Sequence, residues 1–112
     1  MEKLFIYGTL APGRPNEHKL SDIDGIWEEG IVKGVLHQEG WGSDLGFPGI
    51  ILDENANEIK GFLFTSKELY KKLDELDSFE GEEYRRVLVK VTLNGGNTTY
   101  AYIYELNQII PF

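Results

Sequence analysis

Apolar positions in this chain fall mostly in short runs or in strict alternation, the patterns of buried and half-buried strands, and only once at helical spacing. Leu4-Phe5-Ile6-Tyr7 is an apolar, aromatic run closed by Gly8 and predicts a buried strand near the start. Ala11-Pro12-Gly13-Arg14-Pro15-Asn16 removes backbone donors and restricts the chain, so it predicts a loop. The stretch from there to Trp27 follows neither period. Gly30 to His37 is β-branched and mostly apolar, a strand whose internal glycine suggests a bulge or sharp bend. Residues 38–49 are turn chemistry interrupted by Trp41 and Phe47, a loop long enough to be functional. Ile50-Ile51-Leu52 and Ile59 to Phe64 flank a polar connection and predict a hairpin. One helix is predicted from Thr65-Ser66-Lys67-Glu68, where Thr65 and Glu68 have capping-box spacing, through the stripe Leu69, Tyr70, Leu73 and Leu76, to an end near Asp77-Ser78. Val87, Val89, Val91 and Leu93 then alternate, Asn94-Gly95-Gly96 supplies a turn that tolerates positive φ, and Tyr100, Tyr102 and Tyr104 share one face of the return strand.

Short strands with one clear helix predict a small, mainly β domain over residues 1–112, a curved or closed sheet with a helix packed against it. The 112 residues, 41% hydrophobic and 12% aromatic, suffice for a single core without metals or staples. The absence of cysteine excludes disulfides, iron–sulfur clusters and thiol nucleophiles. A net charge of −8 argues against nucleic acid as the partner, since affinity there comes largely from Lys and Arg neutralising phosphates. No apolar run approaches the roughly 20 residues of a membrane span, and MEKLFIYGTL lacks the basic start and apolar core of a secretory signal. A cytoplasmic protein with no membrane association and no evident obligate protein partner is expected.

Candidate chemistry narrows quickly. His18 and His37 stand 19 residues apart, without metal-ligand spacing, so no metal is expected. GWGSDLG at 40–46 fits neither a dinucleotide-binding nor a nucleophile-elbow motif. Asn97-Thr98-Thr99 fits a glycosylation triplet but, without a secretory signal, reads most simply as a turn leading into a strand. Two segments stand out. Tyr7-Gly8-Thr9-Leu10 leaves a buried strand through a glycine, a geometry in which successive N–H groups can converge on a carboxylate or phosphate; any strand entering a tight turn has the same pattern. Leu73 to Gly81 places Glu80 between an aromatic residue and a glycine at a helix-to-strand junction. Desolvation by Phe79 would raise its pKa toward neutrality, which suits a general base, whereas Glu75, Glu80, Glu82 and Glu83 could equally be solvated charges.

Together, Tyr7-Gly8-Thr9-Leu10 with Gly13, Pro15 and Asn16, then Leu73-Asp74, Phe79-Glu80-Gly81, Tyr84 and Arg86 resemble the γ-glutamylcyclotransferase-like family, most closely the γ-glutamylamine cyclotransferases and their small bacterial relatives. Phe47-Pro48-Gly49 and Lys60-Gly61-Phe62-Leu63-Phe64 extend the resemblance over nearly the whole chain. It implies an α+β fold, a small mixed β-barrel with one main helix, and cofactor-free release of 5-oxoproline and a free amine or amino acid from a γ-glutamyl substrate. Backbone groups of Tyr7, Gly8, Thr9 and Leu10 would hold the substrate α-carboxylate, Glu80 would move the proton, and Tyr84 would line the pocket. Only Glu82-Glu83 separates Gly81 from Tyr84, fewer residues than the animal enzymes have there, so a different pocket rim is expected. A binding module that holds an amino-acid-like carboxylate without turning it over is the alternative.

Overall fold

The computed structural model describes residues 2–7, 20, 23–37, 49–81 and 84–106; of His37 and Glu80 it describes the backbone. In chain order the elements are β1 (Glu2–Ile6), β2 (Ile26–His37), β3 (Gly49–Leu52), β4 (Glu58–Ser66), a 3₁₀ turn (Leu69–Lys71), α1 (Leu73–Glu80), β5 (Tyr84–Leu93) and β6 (Thr98–Leu106). Five strands run in the order β2-β4-β1-β6-β5, and β5 returns to β2 through Gly30 opposite Leu93 and Ile31 opposite Thr92. The sheet is therefore a closed barrel, which removes the edges an open sheet would expose. β1 and β6 pair in parallel, and the other pairings are antiparallel.

Successive side chains of a strand point to opposite faces, so the buried strands feed two cores. Phe5, Val32, Ile50, Leu63, Val91, Ala101 and Ile103 come entirely from strands and fill the barrel. Their neighbours Leu4, Ile6, Phe64 and Tyr104 form a second core with Leu69 and Leu76 on the outer, helix-bearing face. Leu69 and Leu76 are fully buried while Tyr70 is 61% exposed, so the helical segment presents one stripe to the barrel wall. The face carrying Tyr100, Tyr102 and Tyr104 grades from solvent, where Tyr100 is 67% exposed, to the helix-side core, where Tyr104 is buried.

The β5–β6 hairpin follows the sequence expectation. Gly95 and Gly96 both take positive φ, 95° and 93°, and Leu93 accepts from Gly96 N–H at 3.0 Å and donates to Asn97 at 2.7 Å. A strand was also expected at Gly30 to His37, and β2 covers it but begins earlier, at Ile26.

Two expectations are corrected. Ile50-Ile51-Leu52 and Ile59 to Phe64 form strands that do not pair with each other; residues 34–37 of β2 pair with β3, and residues 26–33 pair with β4. The connection between β3 and β4 is pinned at both ends to consecutive residues of β2: Lys33 accepts from Asp53 N–H at 3.2 Å and Gly34 donates to Asn57 at 3.1 Å. A long strand far back in sequence thus supplies the partners that a local hairpin would have supplied. The helix does not start at Thr65 either. Thr65 lies inside β4, opposite both Lys3 and Ile26, and the ladder outweighs local capping chemistry. Ser66 does the local work, donating to the Asp24 carbonyl and accepting from Glu68 N–H at 3.0 Å. A 3₁₀ turn precedes α1, which runs past Asp77-Ser78 to Glu80. No described helix is long and apolar enough to cross a membrane.

Candidate active site

α1 delivers its last turn to a point where the chain must reverse into β5 within a few residues. Gly81 makes the reversal, with φ 80° and ψ −170°, while its N–H donates to Asp77 at 3.1 Å and closes the helix. A residue with a Cβ is disfavoured at that φ, which accounts for a glycine directly after Glu80. Tyr84 N–H then donates back to the Gly81 carbonyl at 3.3 Å as β5 begins.

A pocket of about 630 Å³ opens at this junction, lined by Asp77, Ser78, Gly81, Tyr84 and Arg86. Tyr84 and Arg86 are two apart on β5 and so share a face of the strand. Across the pocket Asp77 Oδ1 accepts the Tyr104 hydroxyl at 2.6 Å, and Asp77 Oδ2 lies 3.5 Å from Arg86 Nη2. The Arg86 guanidinium also sits over the Tyr102 ring, 4.9 Å from its centroid, and its Nη1 is buried with no hydrogen-bond partner among the described residues. The short Tyr104–Asp77 bond is charge-assisted and is the stronger tie. The Asp77–Arg86 pair is longer and partly solvated, the two side chains being 42% and 26% exposed.

The fold places the predicted residues as follows. Tyr7 directly follows β1 and packs against the barrel interior; its hydroxyl donates to the Tyr104 carbonyl at 2.5 Å and accepts from Ile50 N–H at 3.2 Å. Its side chain thereby ties β1 to β6 and β3. Gly8, Thr9 and Leu10 lie outside the described residues, as do Trp41 and Phe47. Glu80 is the last residue of α1, and Tyr84 is the first of β5, beside the pocket and packed on the helix-side core. Tyr104 connects the two segments, its carbonyl to Tyr7 and its hydroxyl to Asp77. Neither Tyr104 nor Asp77 stood out in the sequence as part of a site. In the sequence Tyr104 is one of three tyrosines sharing a strand face, and Asp77 marks the expected end of the helix.

Residues 4–111 match the family model described as gamma-glutamyl cyclotransferase, AIG2-like. The chain belongs to this γ-glutamyl cyclotransferase, AIG2-like family. A Niallia circulans protein, gamma-L-glutamyl-butirosin B gamma-glutamyl cyclotransferase, is 28% identical over 116 residues, covering 98% of this chain and 71% of the relative. Among solved structures, YkqA from Bacillus subtilis superposes with a TM-score of 0.73 at 29% identity, over 95% of this chain and 36% of that one. The chain thus spans about a third of YkqA's length. A mouse AIG2-like protein gives a TM-score of 0.79 at 22% identity, over 99% of this chain and 80% of that one, a likeness of fold. Among the described residues, the closed barrel with one α-helix matches the fold of the mouse AIG2-like protein. Family membership and the Niallia relative together support cyclotransferase function in general terms.

Proposed function

We propose that this protein converts a γ-glutamyl derivative into 5-oxoproline and a free amine or amino acid. The observation that supports the reading best is the pocket at the end of α1, beside the helix turn that ends in Glu80, in a chain of cyclotransferase family. In this reading the backbone of Tyr7 and of Gly8, Thr9 and Leu10 holds the substrate α-carboxylate. The Tyr7 side chain is already engaged by β3 and β6, which is consistent with a backbone role for that residue.

The chemistry asks little of a cofactor. Glu80 takes a proton from the substrate α-ammonium, and the free amine attacks the γ-carbonyl carbon of the same molecule. The ring C–N bond forms, Glu80 passes that proton to the departing nitrogen, the old amide C–N bond breaks, and the second proton shed by the ring nitrogen goes to the freed amine, which leaves in its ammonium form. Nucleophile and electrophile belong to one substrate, so folding it into an attack geometry supplies much of the rate. Tyr84, on the pocket wall, contacts the substrate body.

A panel of γ-glutamyl amino acids and γ-glutamylamines, including ε-(γ-glutamyl)lysine, tests the proposal when 5-oxoproline is followed by mass spectrometry. At least one panel member is expected to yield 5-oxoproline and its free leaving group in equal amounts. Saturable binding with every ligand recovered unchanged would instead identify a binding module.

A further inference from the structure

We infer that Asp77 is a positioning residue, clamping the last turn of α1, and with it Glu80, to the strand pair β5–β6. The helix is eight residues long, has no side-chain cap at its start, and carries no basic residue in its last turn. Leu73, Leu76 and Phe79 pack the helix on the helix-side core, Phe79 from the closing turn, and that turn also borders an open pocket. Asp77 fastens that turn from three directions. Its carbonyl accepts the Gly81 N–H, its Oδ1 accepts the Tyr104 hydroxyl of β6, and its Oδ2 faces Arg86 of β5. Glu80 follows Asp77 by three residues, so their Cα atoms lie on the same side of the helix.

The clamp reaches further than the helix. Tyr104 passes its main-chain carbonyl to the Tyr7 hydroxyl, so one residue of β6 holds both the turn before Glu80 and the end of β1, where the Gly8-Thr9-Leu10 segment begins. Arg86 is held over Tyr102, on the same face of β6 two residues before Tyr104, which keeps its charge beside Asp77. A base acting on a folded substrate loses rate steeply when displaced by about an ångström. The link from Asp77 to Tyr104 therefore bears on turnover although neither residue needs to touch the reacting atoms.

The test uses the whole chain with Tyr104→Phe, which keeps the buried ring and removes the hydroxyl, Asp77→Ala, and the two combined; Asp77→Leu, which also lacks an acceptor, serves if the alanine variant does not fold. In amide exchange without substrate, the Gly81 N–H is expected to exchange roughly ten- to hundredfold faster in each single variant, with Phe5 and Phe64 in the barrel unchanged. The kinetic consequence presumes the cyclotransferase activity proposed above; the clamp does not. On any substrate the wild type turns over, kcat is expected to fall roughly ten- to hundredfold with KM held within about threefold, and the double variant to be no worse than the weaker single one. Unchanged Gly81 exchange overturns the clamp whether or not the wild type is active. A loosened turn with full kcat, or losses that multiply in the double variant, overturns the positioning role. A wild type that turns over nothing, with Gly81 exchange accelerated as expected, leaves the clamp standing and removes the cyclotransferase reading instead.

Discussion

Glu80→Gln is expected to lower turnover by roughly 10²–10⁴, the usual contribution of a positioned general base, while substrate still binds. Glutamine keeps the size of the side chain and its capacity to accept a hydrogen bond, and loses the ability to carry a proton between two nitrogens. The substrate α-carboxylate is assigned to backbone donors near Tyr7, so KM should change much less than kcat. Gly81 turns the chain on its own φ and Asp77 is tied to Tyr104, so the neighbouring helix end has contacts that the substitution leaves in place. Steady-state kinetics beside a melting curve checks this. Full turnover in a folded Glu80→Gln protein would remove Glu80 from the mechanism.

The largest effect on stability is expected at Phe64. It is 1% exposed, lies opposite Leu4 on one side of β4 and Trp27 on the other, and stacks at a tilt on the Trp27 ring with centroids 4.6 Å apart. Leu69 and Leu76 belong to the same core, so Phe64 is part of the floor on which the helical segment rests. Truncating such a side chain removes its transfer free energy and leaves a cavity, together about 3–5 kcal/mol, a large part of the roughly 5–15 kcal/mol that holds a domain folded. Phe64→Ala should lower the melting temperature by on the order of 15 °C. Tyr70→Ala, at an exposed position of the 3₁₀ turn, should cost within about 0.5 kcal/mol. Equal losses from the two variants would mean that the helix-side core is not where the structure places it.

What the sequence disclosed follows the range over which each interaction acts. The alternation in β5, the glycine pair at 95–96 and the return strand are local features, and the hairpin agrees with them. The apolar run at Leu4 to Ile6 was legible as a strand, but its residues divide between two cores, which follows only once the barrel closes. The expected pairing of residues 50–52 with 59–64 failed because β2, far back in the chain, takes both as partners. The capping box at Thr65 failed for a related reason: long-range pairing to Lys3 and Ile26 keeps that residue in a strand.

The candidate site divides along the same line. Glu80 and Tyr84 were visible because a helix end, a glycine and a strand start lie close together in the chain, and the resemblance of the two motifs to one family pointed to the same junction. Asp77, Arg86 and Tyr104 act together only through contacts between residues far apart in sequence; 27 positions separate Asp77 from Tyr104. An aspartate at a helix end and a tyrosine in an alternating strand carry no mark of that meeting.

The central claim is that the substrate's own amine, and not water, displaces the leaving group. The measurement that tests it most directly is turnover of an active γ-glutamyl substrate in water carrying a heavy oxygen isotope, with the products weighed by mass spectrometry. The account predicts 5-oxoproline free of the heavy isotope from the earliest time points, formed in step with the leaving group. Glutamate as the first product, or 5-oxoproline carrying the heavy isotope, would show that water attacks the γ-carbonyl and would contradict it.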